Sequence, residues 1–141
     1  MTTLTLAQAQ QIISGAFLES DQSGYAPMAI AVLDASGHLK AFASADGASM
    51  FRFKIAQAKA WGAVGMGVSS RVLGERAKGN PNFFLSLAAT SSGRFLPQPG
   101  AVLIKDADGR IVGAVGASGG TGDEDEAICI AGVTSAGLVA G

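Results

Sequence analysis

Leu6, Ala9, Ile12, Ile13, Ala16 and Phe17 recur at helical spacing behind Thr5, Leu6, Ala7 and Gln8, which have the form of a capping box. The chain therefore opens on an amphipathic helix, ended by Gly24 and Pro27. Met28 to Leu33 and Leu39 to Ser44 then read as strands. Between them Asp34, Ala35, Ser36 and Gly37 supply the aspartate and the glycine of a tight hairpin turn. Alternate positions of the first strand are apolar on both faces, so it belongs at the centre of a sheet, with helices expected on one face and a partner subunit on the other.

Phe51 to Val68 returns to helical spacing through Phe53, Ile55, Ala56, Ala60 and Val64. Ser69 or Ser70 can cap a shorter helix ending near Lys78 and Gly79, and Asn80-Pro81 reads as a break. Ala101 to Lys105 and Arg110 to Ala117 form a second hairpin around Asp106, Ala107, Asp108 and Gly109. Both hairpins share the pattern apolar–Asp-Ala-x-Gly–apolar, an echo best explained by shared turn chemistry. Thr121, Gly122, Asp123 and Glu124 make a second capping box, and the acids after it suit the positive end of a helix. The order is α-ββ-αα-ββ-α: an α+β fold with an antiparallel sheet and helices mostly on one side. No linker interrupts it, and residues 1–141 read as one domain.

Composition narrows the function classes. Charged residues are 15% of the chain against 48% hydrophobic, few charges for covering a monomer of this size, so a homo-oligomer is expected. A net charge of −1 argues against general nucleic-acid binding. No apolar run is long enough to span a bilayer, and the segment from Met1 to Leu4 lacks the basic start of a secretory leader. The expected location is cytoplasmic. A single cysteine, Cys129, excludes an internal disulfide and reads as a packing residue.

Candidate chemistry is concentrated in a few places. Gly113, Gly116, Gly119, Gly120 and Gly122 run from a strand into a helix, without the spacing of a nucleotide-binding loop. Two readings are open: small residues admitting a second subunit, or amides of Gly119, Gly120 and Thr121 holding a carboxylate or oxyanion. His38, the only histidine, is an exposed turn residue, an axial metal ligand or an acid–base group. Lys59 lies on a small, apolar helix face, where it either snorkels or contacts an anion. Asp125 and Glu126 either compensate the helix dipole or supply a catalytic carboxylate.

The motifs together resemble the haem-degrading/haem-binding domain family, which includes GlcG-like and HbpS-like proteins and the C-terminal domain of PduO-type proteins. The matching stretches are Leu4 to Leu6, Ala29 to Leu39, Ala45 to Ala48, Ala58 to Ala60, Pro99-Gly100 and Ile111 to Gly116. Ser118 to Thr121, Asp125-Glu126 and Ala131-Gly132 complete them, so the resemblance covers essentially the whole chain. It implies an antiparallel sheet flanked by helices, assembled as a dimer or larger oligomer, with haem binding, haem degradation or redox sensing among its members. On that basis Phe51, Phe53, Trp61 or Phe84 would line an apolar cleft for a tetrapyrrole, with Arg52 and Lys59 on its propionates and His38 as the metal ligand. The alternative is a cofactor-independent lyase or isomerase acting on a small oxo- or hydroxy-carboxylate. There the glycine-rich amides hold developing charge, Lys59 binds the carboxylate, and His38 or Asp125 transfers a proton. A purely structural assembly protein is the third reading.

Overall fold

The computed structural model describes residues 3–141; Met1 and Thr2, part of the segment read above for a leader, lie outside them. Helix α1 (Leu6–Ser23) starts from the Thr5/Gln8 capping box and ends on Gly24, whose φ of +69° closes the last turn. Strands β1 (Ala29–Asp34) and β2 (Leu39–Ser44) follow, then α2 (Arg52–Met66), α3 (Ser70–Gly79) and α4 (Pro81–Thr90). The chain closes through β3 (Ala101–Lys105), β4 (Ile111–Ser118), α5 (Gly122–Ser135) and β5 (Val139–Ala140).

The order α-ββ-αα-ββ-α is kept, with α4 and β5 added to it. Asn80-Pro81 breaks the helical region as expected, with Asn80 outside both α3 and α4, but a further helix starts at once. Pro81 opens α4 at its first turn, where a missing N–H costs nothing and the fixed φ favours the helix. The sheet runs β2-β1-β4-β3-β5, with each adjacent pair antiparallel. Both hairpin turns are built alike. Asp34 Oδ1 accepts from the Ser36 and His38 amides, and Asp106 Oδ1 accepts from those of Asp108 and Arg110.

Helices cover both faces of the sheet rather than mostly one. Ile30 and Val32 of β1 pack with α1 and α5, against Ile12, Ile128 and Val133. Leu33, on the opposite face, packs with Ala60 and Ala63 of α2. The second apolar face of β1 is thus covered by this chain's own helix. Glycines permit the closeness of these layers. A Cβ on Gly116 would overlap the carbonyl oxygen of Ala56 in α2, and one on Gly132 would overlap that of Ile12 in α1.

Candidate functional site

Arg52, Ile55 and Lys59 lie on one stripe of α2, at helical spacing. The tight seat of α2 on Gly116 carries the end of Lys59 to the C-terminal end of β4. There its Nζ donates to the Ala117 carbonyl oxygen at 3.1 Å and to Asp125 Oδ2 at 2.9 Å. Both side chains are sealed, at 6% and 3% exposure. Asp125 stands in the first turn of α5, and its Oδ1 accepts the Gly120 amide at 2.9 Å. Burial pushes the Asp125 carboxyl above its ordinary range, while the Lys59 ammonium, the Gly120 amide and the Arg52 charge pull against that rise.

An open cleft of about 470 Å³ lies over this pair, lined also by Arg52, Ile55, Leu96, Pro99, Ser118 and Thr121. Arg52 reaches Ser118 Oγ at 3.4 Å and has no carboxylate partner among the described residues. The segment after α4 contributes Gly100, which has a φ of +132°. A Cβ on Gly100 would sit 2.6 Å from Lys59 Nζ and 3.0 Å from Asp125 Cβ, so glycine is required for the pair to form.

The structure thus brings Arg52, Lys59, Gly120, Thr121 and Asp125 together. The glycine-rich turn does not present all its amides to a ligand. Gly120 N–H goes to Asp125, Thr121 N–H to Glu124, and the Glu124 amide returns to Thr121 Oγ1. Nor is a second subunit needed to explain Gly119, because a Cβ there would overlap the carbonyl oxygen of this chain's Pro27. The remaining acids of the turn clamp α3: Arg71 bonds Asp123 and holds Glu126 at 3.0 Å through Nε. Cys129 is buried behind the site with its Sγ 3.5 Å from the Gly100 carbonyl oxygen, and burial beside Asp125 pushes its thiol far above the ordinary range.

The expected aromatic lining is dispersed. Phe53 meets Phe42 of β2 edge-on at 4.4 Å, Phe84 stacks on Phe95 in a separate core cluster, and Trp61 carries the Arg94 guanidinium on its face. Phe51 is exposed. His38 belongs to the other end of the molecule. β1 pairs Ala29 with Ser118 beside the cleft and Asp34 with Gly113 beside the turn of His38, so about 17 Å of strand separates the two. The imidazole is 80% exposed, with Nδ1 3.6 Å from Asp34 Oδ2. Partial burial raises the Asp34 carboxyl, but the His38 and Ser36 amides and the His38 imidazole outweigh it and leave the carboxyl below its ordinary value.

Residues 4–134 match the family model described as haem degrading protein HbpS-like. The chain belongs to this family. No protein of curated function matches it in sequence. Among solved structures, a double mutant of HbpS from Streptomyces reticuli is 26% identical, with a TM-score of 0.82 over 95% of this chain and 87% of that one. A structure described as a PduOC:heme complex superposes with a TM-score of 0.86 at 22% identity, covering 97% of both chains. Protein ORFY from Klebsiella pneumoniae gives 0.86 at 23% identity, over 97% of this chain and 92% of that one. This HbpS-like chain therefore has the fold of those proteins, with the Lys59–Asp125 pair at one end of its sheet and His38 at the other.

Proposed function

We propose that this HbpS-like protein binds haem or a related tetrapyrrole as a homo-oligomer, with His38 as the ligand to iron. Membership of the family over residues 4–134 is the observation that carries the reading. Two features near His38 support the reading. Asp34 Oδ2 lies 3.6 Å from Nδ1, on the side of the exposed imidazole away from Nε2, which is left free to ligate. Asp34, Ala35 and Ser36 of the same turn line a neighbouring cavity of about 610 Å³ with Leu4, Ile111 and Val112, and His38 stands beside it rather than in its lining. Lys40 and Arg110 stand at the same cavity, where they can meet propionates. Iron held by His38 would supply redox chemistry, the basis for haem degradation or redox sensing as the further activity.

Exposed Met50, Phe51, Leu85 and Phe83 supply apolar surface for self-association. The alternative, a lyase or isomerase for a small oxo- or hydroxy-carboxylate, draws its support from the Lys59–Asp125 cleft instead. A titration with hemin tests the main reading: a saturable Soret band at one haem per chain is expected, and weak, non-saturating absorbance would reject it. Sedimentation of the same sample should give more than one chain per particle.

A further inference from the structure

The cations around the Lys59–Asp125 cleft each have a carboxylate partner, with one exception. Asp125 neutralises Lys59 at 2.9 Å, and Arg71 holds Asp123 and Glu126. Arg52 is left over, half-buried at the cleft wall with a single long hydrogen bond to Ser118 Oγ. Most of its five donors are therefore unused, in the fork geometry that suits a carboxylate. Lys59 also has capacity to spare. An ammonium has three donors, and the two bonds described, to Asp125 and Ala117, leave one N–H on a cleft-lining group. Because it is buried, that third donor has little access to water in compensation.

The partners of these two cations are neighbours in β4: Arg52 bonds Ser118, and Lys59 bonds the carbonyl of Ala117. Ile55, Leu96 and Pro99 supply apolar contact between and around them. We infer that the cleft binds a short 2-oxo monocarboxylate, its carboxylate on Arg52 and its oxo oxygen accepting the third N–H of Lys59. Arg52, the one cation here without a carboxylate partner, offers a seat for a single carboxylate. A phosphate dianion would carry a second charge next to Asp123 and Asp125, which disfavours it. The oxo group distinguishes this class from simple fatty acids, since only an acceptor beside the carboxylate satisfies Lys59. The inference rests on the alternative reading of the cleft only for the class of compound. It concerns binding, and holds whether or not the acid is turned over.

The test is calorimetric titration of the full chain with pyruvate and, separately, with propionate, which lacks the oxo oxygen. Pyruvate should bind saturably at one per chain, and propionate at least about tenfold more weakly, the scale of one lost charge-assisted hydrogen bond. Arg52→Gln should abolish binding of both acids while leaving the hemin titration unchanged, and His38→Ala should weaken hemin binding while leaving both acid titrations unchanged. If the variant folds poorly, amide NMR on the unaltered chain decides. Pyruvate should then move the Ser118, Gly120 and Thr121 signals. No saturable heat with pyruvate, equal affinity for propionate, or shifts centred on residues 34–40 would each overturn the assignment, and none would touch the haem reading.

Discussion

Replacing Lys59 with methionine keeps most of the side-chain volume and removes the charge from the most enclosed ion pair in the molecule. Asp125, only 3% exposed, would then keep the Gly120 amide on Oδ1 and have nothing on Oδ2. Removing one partner of a buried pair costs about 3–5 kcal/mol. Proton uptake sets a ceiling, because neutralising a carboxyl of ordinary pKa, about 3.9, at pH 7 costs about 4 kcal/mol. The expected loss at pH 7 is therefore about 3–4 kcal/mol. Its pH dependence follows from linkage. Burial already raises the Asp125 carboxyl and Lys59 heads the groups opposing it, so the variant's folded-state pKa rises further. A raised folded-state pKa contributes stability that is full below the unfolded value and lost as pH rises through the folded value. The variant's deficit against wild type should therefore shrink between pH 7 and pH 5, by up to about 2.7 kcal/mol. Urea denaturation of both proteins at the two pH values measures this. Lys59→Met combined with Asp125→Asn, which keeps an acceptor for Gly120 without the charge, should recover most of the loss and show no such pH dependence. A deficit under about 1 kcal/mol, the size of an exposed pair, or one that is equal at both pH values, would refute the reasoning.

Gly116→Ala should destabilise by about 1–3 kcal/mol, because its Cβ meets backbone of α2 rather than a movable side chain; an unchanged melting temperature would show that the layers are not in contact there. Thr121→Ala should cost about 1 kcal/mol through loss of the α5 cap, read from the urea midpoint, and a midpoint that does not move would mean the cap contributes nothing. Cys129 should resist a thiol reagent such as DTNB in the native protein and react stoichiometrically in urea, since burial disfavours its thiolate; rapid native labelling would contradict the burial described.

What was legible in the sequence is what local chemistry decides. The two Asp-Ala-x-Gly turns close through bonds spanning only two to four residues, so both hairpins could be placed from their turns alone. Both capping boxes are local in the same way. Asn80-Pro81 gave the end of α3 but not the start of α4, because a proline both ends and begins helices and the second depends on the packing of Phe84 with Phe95 and Leu73. Two-residue β5 has no periodicity to read; its place is fixed by pairing with Ile104 and Lys105.

At the site, Lys59, Arg52, Gly120, Thr121 and Asp125 were each singled out, but the bond joining Lys59 to Asp125 spans 66 residues and left no periodic trace. The roles of the four consecutive acids separate only when α3 and α2 are in place: Glu124 caps, Asp123 and Glu126 hold Arg71, and Asp125 faces Lys59. Ser118 and the segment from Leu96 to Gly100 went unremarked as site residues. Pro99-Gly100 was the available signal, a glycine whose missing side chain makes room for the ion pair.

The most direct measurement is an absorption titration of hemin into wild type and His38→Ala side by side. Alanine offers iron no lone pair, so with His38 as ligand the wild type should saturate at one haem per chain. The variant should bind more weakly, with a displaced Soret maximum. Identical spectra and affinities for the two proteins would contradict ligation by His38, and absorbance that never saturates in either would contradict haem binding by this chain.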